Sequence, residues 1–271
     1  MTDGIAFEKW QGLGNHFVVT ESSAWAFPIT AARARVLCDS YVGVGADGVL
    51  EVVLAGGVPE MRVWNPDGSV AENCGNGVRV VARYLEGRGL LPIGGRILTG
   101  AGEVVVSVDG PVVSVDMGYA HFPAGEGDEA LETGVGTVTL AEVSMGNPHA
   151  VIRHDDPDAV VATIGPLVEA SPRFPDRTNV EFVRRDGPSE ITMRVWERGA
   201  GETMACGTGA CAAAAAGVRL DGLVSPVTVH LAGGDLVIAV GDDLRVTMTG
   251  PAEPIFSGVL SPDLISRLEA M

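Results

Sequence analysis

The sequence predicts an α+β protein made of two pseudo-symmetric domains that arose by internal duplication, and three observations predict it. The stretch Cys206-Gly207-Thr208-Gly209 opens an alanine-rich run, and the same plan stands 132 positions earlier as Cys74-Gly75-Asn76-Gly77. The offset extends beyond the cysteines: Met61-Arg62-Val63-Trp64 recurs as Met193-Arg194-Val195-Trp196, and Gly14-Asn15 as Gly146-Asn147. Gly102 and Gly118 likewise pair with Gly234 and Gly250. A fixed repeat period has to be recognised before the fold is assigned, and each half is of ordinary domain length. We therefore expect one half over residues 1–119, a second over 120–252, and a C-terminal segment, 253–271, that packs back onto the first. Under a pseudo-two-fold axis the two Cys-Gly-x-Gly elements would face each other across an interdomain cleft, a favoured place for a small-molecule site.

Taken in order, Ile5–Trp10 and His16–Thr20 read as strands flanking the turn Gly12-Leu13-Gly14-Asn15. Ile29–Tyr41 reads as an amphipathic helix with Thr30 as its N-cap. The stretch Gly43-Val44-Gly45-Ala46-Asp47-Gly48 matches the dinucleotide fingerprint formally, but Val49–Leu54 has the pattern of a strand where that motif requires a helix, so no nucleotide site is assigned. Met61–Trp64 is a strand, Asn65-Pro66-Asp67-Gly68 a turn, and Gly77–Glu86 a helix. Three strands follow, Arg96–Thr99, Glu103–Val108 and Val112–Met117, with an antiparallel turn at Asp109-Gly110-Pro111. The acid- and glycine-rich 118–137 stretch contains the changeover. The second half then repeats the order, with strands 138–144 and 150–153, a helix over 159–169, strands 180–184 and 191–196, the alanine-rich helix 209–219, and strands 227–231, 236–240 and 244–249. Residues 261–271 form a terminal helix with no counterpart in the repeat.

Composition excludes more than it identifies. The formal charge of −17 argues against a nucleic-acid partner, which would require clustered Lys and Arg. No apolar run reaches the roughly 18 to 20 residues of a membrane span. The acidic start, Met1 to Glu8, lacks the basic and apolar regions of a secretory leader, so a cytoplasmic protein is expected. Lys9 is the single lysine beside seventeen arginines; it sits in the first strand beside no phosphate-cradling sequence, which disfavours pyridoxal phosphate and its Schiff base. The four cysteines have neither zinc-site spacing nor the density of a disulfide scaffold. Cys38 and Cys211 read as packing residues, and no metal is expected.

The chemistry falls to the other two cysteines. A helix N-terminus offers unpaired N–H groups and a favourable dipole, so both thiols are expected to ionise more readily than an ordinary cysteine. Inverting a tetrahedral carbon requires a base on one face and an acid on the other, which symmetric thiols supply, one as thiolate and one as thiol. Backbone N–H groups of Gly75-Asn76 and Gly207-Thr208 would cradle a substrate carboxylate between the sulfurs.

Five motifs in order now show that the chain resembles the diaminopimelate epimerase family along nearly its whole length. They are Gly12-Leu13-Gly14-Asn15, Asn65-Pro66-Asp67-Gly68-Ser69 leading to Cys74-Gly75-Asn76-Gly77, Met145-Gly146-Asn147-Pro148-His149, Thr178-Asn179-Val180-Glu181-Phe182, and Glu197-Arg198-Gly199-Ala200-Gly201-Glu202-Thr203 leading to Cys206-Gly207-Thr208-Gly209. The resemblance implies two domains, each a mainly antiparallel sheet wrapped around a central helix. It also implies a homodimer, and a cofactor-independent two-base epimerase converting LL- to meso-2,6-diaminopimelate for lysine and peptidoglycan synthesis. By the same resemblance Cys74 and Cys206 are the acid/base pair, and Gly75, Asn76, Gly207 and Thr208 hold the carboxylate at the reacting centre. Asn65, Asn147, Asn179 and Arg198 grip the distal carboxylate, Glu197 helps bind the distal amine, and Asn15 lies near the reacting amine. Glu197 and His149 bias the thiol pKa values.

Three positions depart from the family pattern. Gln11 replaces the usual His, His16 the usual Asp, and Gly48 a common Gln; the first two flank the Asn15 turn and bear on substrate choice. The competing readings are a sister racemase or phenazine-type isomerase of the same architecture and, from other classes, a non-catalytic amino-acid-binding module or a thiol redox protein. The Cys-x-x-Cys spacing usual for the last is missing.

Overall fold

The computed structural model describes residues 4–71 and 74–271. The acidic start at Met1–Asp3, and Asn73 of the first cysteine motif, lie outside the described residues. In chain order the elements are β1 (Ala6–Gly12), β2 (Asn15–Glu21), α1 (Ala31–Cys38), β3 (Gly48–Val53), β4 (Glu60–Trp64), β5 (Val70–Ala71), α2 (Gly75–Glu86), β6 (Arg96–Thr99), β7 (Gly102–Asp109) and β8 (Val112–Tyr119). There follow β9 (Glu129–Thr133), β10 (Gly136–Ser144), β11 (Pro148–Arg153), α3 (Pro157–Glu169), β12 (Asn179–Arg185), β13 (Glu190–Glu197), β14 (Gly201–Glu202), α4 (Gly207–Leu220), β15 (Val227–Leu231), β16 (Gly234–Val240), β17 (Arg245–Pro251), β18 (Glu253–Val259) and α5 (Pro262–Glu269). The chain forms two compact units: one runs through Val115 and takes back Pro251–Met271, and the other comprises Asp116–Gly250.

In the first unit β1 pairs antiparallel with β2 and with β18, β2 runs parallel to β3, β3 is antiparallel to β4, and β6 to β7. The β1–β2 turn is the two-residue loop Leu13-Gly14, both at positive φ (56° and 81°). That is the conformation a tight hairpin requires, and it sets Asn15 at the first position of β2. Helix α2 packs against β1, β2, β3, β4 and β7. Its apolar side chains are Val78, Val80, Val81, Ala82 and Leu85, all essentially inaccessible. A separate apolar cluster joins Ile5, Val18, Ile29, Ala34, Leu37 and Val49 to Leu260 and Leu268 of the C-terminal segment. That segment is tied down by the Leu260 N–H on the Ile5 carbonyl (2.9 Å) and by Arg33 Nε on the Leu268 carbonyl (2.8 Å).

The second unit has the same succession of pairings: β10 antiparallel to β11, β11 parallel to β12, β12 antiparallel to β13, β13 parallel to β15, and β15 antiparallel to β16. Helix α4 packs against β10, β11, β12, β13, β15 and β16. Ala212–Ala216 are all buried, because small side chains let strands approach the helix from every side while alanine favours the helix itself. Any larger residue would overpack that space.

The sequence missed β5, β9, β14 and β18. Three of these are pairs or edges too short or too polar to alternate visibly, and in β18 every residue except Gly258 is exposed, so no buried face marks it. Helices α2, α3 and α4 begin two residues earlier than their apolar periodicity suggests, because their first turns are small or polar, whereas the helix expected over Ile29–Tyr41 is shorter, Ala31–Cys38, and α5 begins one residue later than expected, at Pro262. Among the described residues no helix is long and apolar enough to cross a membrane.

Candidate active site

Both cysteines are helix N-caps. Cys74 has extended backbone (φ −151°, ψ 100°) and its Sγ accepts the Gly77 N–H at 3.3 Å. Cys206 (φ −117°, ψ 112°) accepts the Gly209 N–H at 3.4 Å. Glycine at the accepting turn follows from space. A Cβ on Gly77 would lie 3.3 Å from Cys74 Sγ, and one on Gly209 would lie 3.3 Å from Cys206 Sγ and 2.6 Å from Glu181 Oε1.

The surroundings of the two thiols differ in charge. In the first unit Asn76, at the second position of α2, donates from Nδ2 to Asn15 Oδ1 (3.5 Å), and Asn15 Nδ2 donates to Asp47 Oδ2 (3.2 Å). Beneath them Arg79, fully buried, donates to Asn76 Oδ1 (2.9 Å), to the Pro251 carbonyl (3.2 Å) and to the Gly75 carbonyl (3.5 Å). A buried cation thus anchors the first turn of the Cys74 helix. Asn65 stands apart from this group, closing its own turn through Ser69 Oγ at 2.9 Å.

In the second unit the buried charges are carboxylates. Cys206 Sγ lies 3.5 Å from Thr208 Oγ1, which accepts from Asn147 Nδ2 at 3.4 Å. Asn147 Oδ1 lies 3.0 Å from His149 Nε2, and His149 Nδ1 lies 2.7 Å from Glu181 Oε1. His149 and Glu181 are inaccessible to solvent, and Glu181 Oε2 has no hydrogen-bond partner among the described residues. Glu197 accepts from Thr203 Oγ1 and from the Cys206 thiol; burial raises its pKa, the hydrogen bonds from Thr203 and Cys206 oppose this, and Glu181 adds to it. Asn179 holds two backbone segments, donating to the Pro148 carbonyl and accepting the Arg198 N–H, each at 3.0 Å. The exposed Arg198 guanidinium reaches the Asp176 carbonyl (3.4 Å) and forms no ion pair among the described residues. Behind it Glu169 accepts from Gly199 N–H and Trp196 Nε1, both at 2.8 Å, fixing the loop that carries Arg198.

The expectation that a helix-terminus thiol ionises easily is corrected for Cys206. Burial is the largest influence and raises its pKa well above the usual thiol value. The carboxylates of Glu197 and Glu181 push the same way and outweigh the bonds from Thr208 and the Gly209 N–H. Desolvation of a thiolate, next to two acids, exceeds what one helix terminus supplies. Cys38 and Cys211 are buried, and burial pushes the Cys38 thiol up to about 11. Among the described residues no three His, Cys, Asp or Glu side chains form a metal-holding cluster.

Sequence reasoning assigned no role to Arg79, Asp47, Glu169 or Glu181. Arg79 carried a signal, since a lone charge among Val78, Val80, Val81 and Ala82 on a buried helix face needs partners. The others are recognisable only through contacts distant in sequence.

The family model for diaminopimelate epimerase matches residues 7–123 and 141–255. A diaminopimelate epimerase of Pelotomaculum thermopropionicum is 46% identical over 275 residues, covering 93% of this chain and 97% of that protein. One of Alkalilimnicola ehrlichii is 45% identical over 283 residues, covering 96% and 99%. Among solved structures, a probable proline racemase from Agrobacterium radiobacter superposes with a TM-score of 0.71 at 16% identity over 96% of this chain and 93% of that one. A phenazine biosynthesis protein of Bacillus anthracis gives 0.70 at 14% over 96% and 99%, and these two likenesses speak to the two-domain α+β fold alone. By the family match and by sequence identity along nearly its full length, the chain belongs to the diaminopimelate epimerase family.

Proposed function

We propose that this chain interconverts LL- and meso-2,6-diaminopimelate by two-base proton transfer at one α-carbon, with Cys74 and Cys206 as the two bases. The observation that carries the reading is the shared cap geometry with opposite electrostatic surroundings. Each sulfur sits on the third N–H of its helix, and Cys206 is held as the thiol by burial and by two carboxylates. One sulfur has to begin as thiolate, and that role is left to Cys74.

In this mechanism the α-C–H bond breaks and its proton goes to the Cys74 sulfur. The electron pair stays on the α-carbon and spreads into the adjacent carboxylate. The first N–H groups of α2 and α4, at Gly75, Asn76, Gly207 and Thr208, stabilise the charge gathering on that carboxylate. The Cys206 S–H bond then breaks, its proton goes to the opposite face of the carbon, and the configuration is inverted. The resulting Cys206 thiolate is costly where it lies, so the Glu197 and Glu181 carboxylates oppose donation in this direction and favour recapture of a proton afterwards, which makes Cys206 the stronger base for the reverse reaction.

Arg198, exposed and free of acidic partners among the described residues, suits the distal carboxylate as a planar fork. Asn179 fixes its backbone, and Asn65 and Asn147 complete that contact. Glu197 adds a contact to the distal amine, and Asn15 meets the reacting amine. A homodimer in the cytoplasm belongs to the same proposal, and light scattering of the purified protein tests the assembly.

The test is incubation of LL-diaminopimelate in D₂O with wild type, Cys74→Ala and Cys206→Ala. Wild type is expected to place deuterium at the α-carbon and to form the meso isomer, and each variant is expected to lose epimerisation. A protein that exchanges deuterium only into another amino acid, or into none, overturns the reading.

A further inference from the structure

We propose that Asp47 and His16 act as a positioning pair for Asn15, so that the grip on the reacting end of the substrate tightens or loosens with the charge on His16. This rests on the reading of Asn15 as the contact to the reacting amine.

Asp47 lies in the glycine-punctuated stretch 43–48, which the dinucleotide pattern matched but which binds no phosphate in the proposed reaction. The structure shows what the stretch builds. Val44, Gly45 and Ala46 direct their N–H groups at the Leu37 and Cys38 carbonyls that end α1. The Gly45 carbonyl accepts from the buried ammonium of Lys9. The Asp47 N–H then bonds the His16 carbonyl at 2.9 Å, while the His16 N–H returns a bond to Asp47 Oδ2, also at 2.9 Å. The carboxylate is therefore fixed against the start of β2 from both sides.

A single oxygen carries the load. Asp47 Oδ2 accepts the His16 N–H (2.9 Å) and Asn15 Nδ2 (3.2 Å), which fills the two lone-pair positions of a carboxylate oxygen. His16 Nδ1 lies 3.7 Å from the same Oδ2 and, though shielded from solvent, has no hydrogen-bond partner among the described residues. While the ring is neutral, Nδ1 makes no claim on Asp47. Once the ring is protonated, both nitrogens are donors and Nδ1–H becomes a third, charged donor aimed at an oxygen with two places. The longest and only uncharged side-chain bond, that of Asn15, is the one displaced. Because Asn15 Oδ1 is in turn the acceptor for Asn76 Nδ2 at 3.5 Å, the disturbance reaches the first turn of the Cys74 helix.

Among the described residues the other titratable groups facing Asp47 are Lys9, on β1, and Cys38, at the end of α1. The Cys38 thiol, pushed up to about 11 by burial, stays neutral between pH 5.5 and 8. Lys9 is lowered by burial and supported by Asp47. Both are unchanged by substitution at position 16, so a His16 variant isolates the imidazole.

The experiment measures kcat and KM for diaminopimelate from pH 5.5 to 8, the range in which an imidazole changes charge, for wild type, His16→Gln and Asp47→Asn. It also follows the Asn15 side-chain amide by ¹⁵N NMR over the same range. Wild-type KM is expected to rise roughly fivefold on going from pH 8 to 5.5, the effect of losing about one hydrogen bond. In His16→Gln the KM profile is flat, in Asp47→Asn KM is already raised at pH 8, and the kcat profiles keep one shape in wild type and His16→Gln. The Asn15 amide resonance moves with pH in wild type and stays still in His16→Gln. A KM profile in His16→Gln that tracks wild type, or an Asn15 amide indifferent to pH in wild type, overturns the proposal. If diaminopimelate proves not to be a substrate, the functional reading fails, and the Asn15 resonance still decides whether the pair operates.

Discussion

Replacing Glu197 by Gln is expected to make Cys206 a stronger acid, by an amount that follows from its surroundings. Burial raises the thiol most, then the Glu197 and Glu181 carboxylates; the substitution keeps the shape and the burial and removes one charge. Two unit charges about 4 Å apart at an effective dielectric of about 20 interact by about 4 kcal/mol, which corresponds to about three pH units. Burial raises the Glu197 pKa, so the bare Coulomb figure is an upper bound. The expected fall in the Cys206 pKa is therefore about one unit. At a fixed pH below the midpoint, about tenfold more thiolate, offset by the lower nucleophilicity of a weaker base, leaves a net increase of roughly threefold in alkylation rate. The assay is iodoacetamide labelling in a Cys74→Ala background between pH 6.5 and 10, read at the Cys206 peptide by mass spectrometry. Labelling that is unchanged or slowed, or a midpoint that moves to higher pH, would refute the assignment of Glu197 as a charge that keeps Cys206 protonated.

Gly209→Ala would place a methyl 2.6 Å from Glu181 Oε1, on a carboxylate with no free space, and is expected to lower kcat by tenfold or more. Gly77→Ala meets the end of the Leu50 side chain, Cδ2 at 3.0 Å, and should cost less, so equal losses in steady-state assays would contradict the packing account. Arg79→Met strands the buried Asn76 Oδ1 and the Pro251 carbonyl oxygen and is expected to destabilise the protein by about 3 kcal/mol, measured by urea unfolding; a variant as stable as wild type would show that the buried cation is dispensable. Glu169 has its carboxyl raised by burial and lowered more by bonds from Trp196, Gly199 and Arg177, for a net pKa below the usual 4.5. Its folded-state pKa is depressed, so its stabilisation is present above about pH 4.5 and fades as pH falls through the folded value. Wild type should exceed Glu169→Gln in thermal midpoint by about 4 °C at pH 7, with the gap closing toward pH 3; a gap independent of pH would refute the charge argument.

The sequence by itself determined the α+β class and family, because these depend on local chemistry repeated along the chain. Cap residues, glycines that no side chain can replace, and apolar periodicity are legible without partners. The placement of Cys74 and Cys206 at helix N-termini, the alanine-rich helix and the Asn15 turn were all available at that level. What tertiary structure decided was the electrostatics. Ionisation depends on burial and on charges brought close from distant strands, and neither is written near the residue it acts on. Glu181 reaches Cys206 from β12, Glu169 reaches the Gly199 N–H beside Arg198 from α3, and Asp47 reaches Asn15 from the loop before β3. The local rule for a helix-terminus thiol therefore pointed toward easy ionisation, whereas folding surrounds Cys206 with apolar packing and acids and reverses the sign.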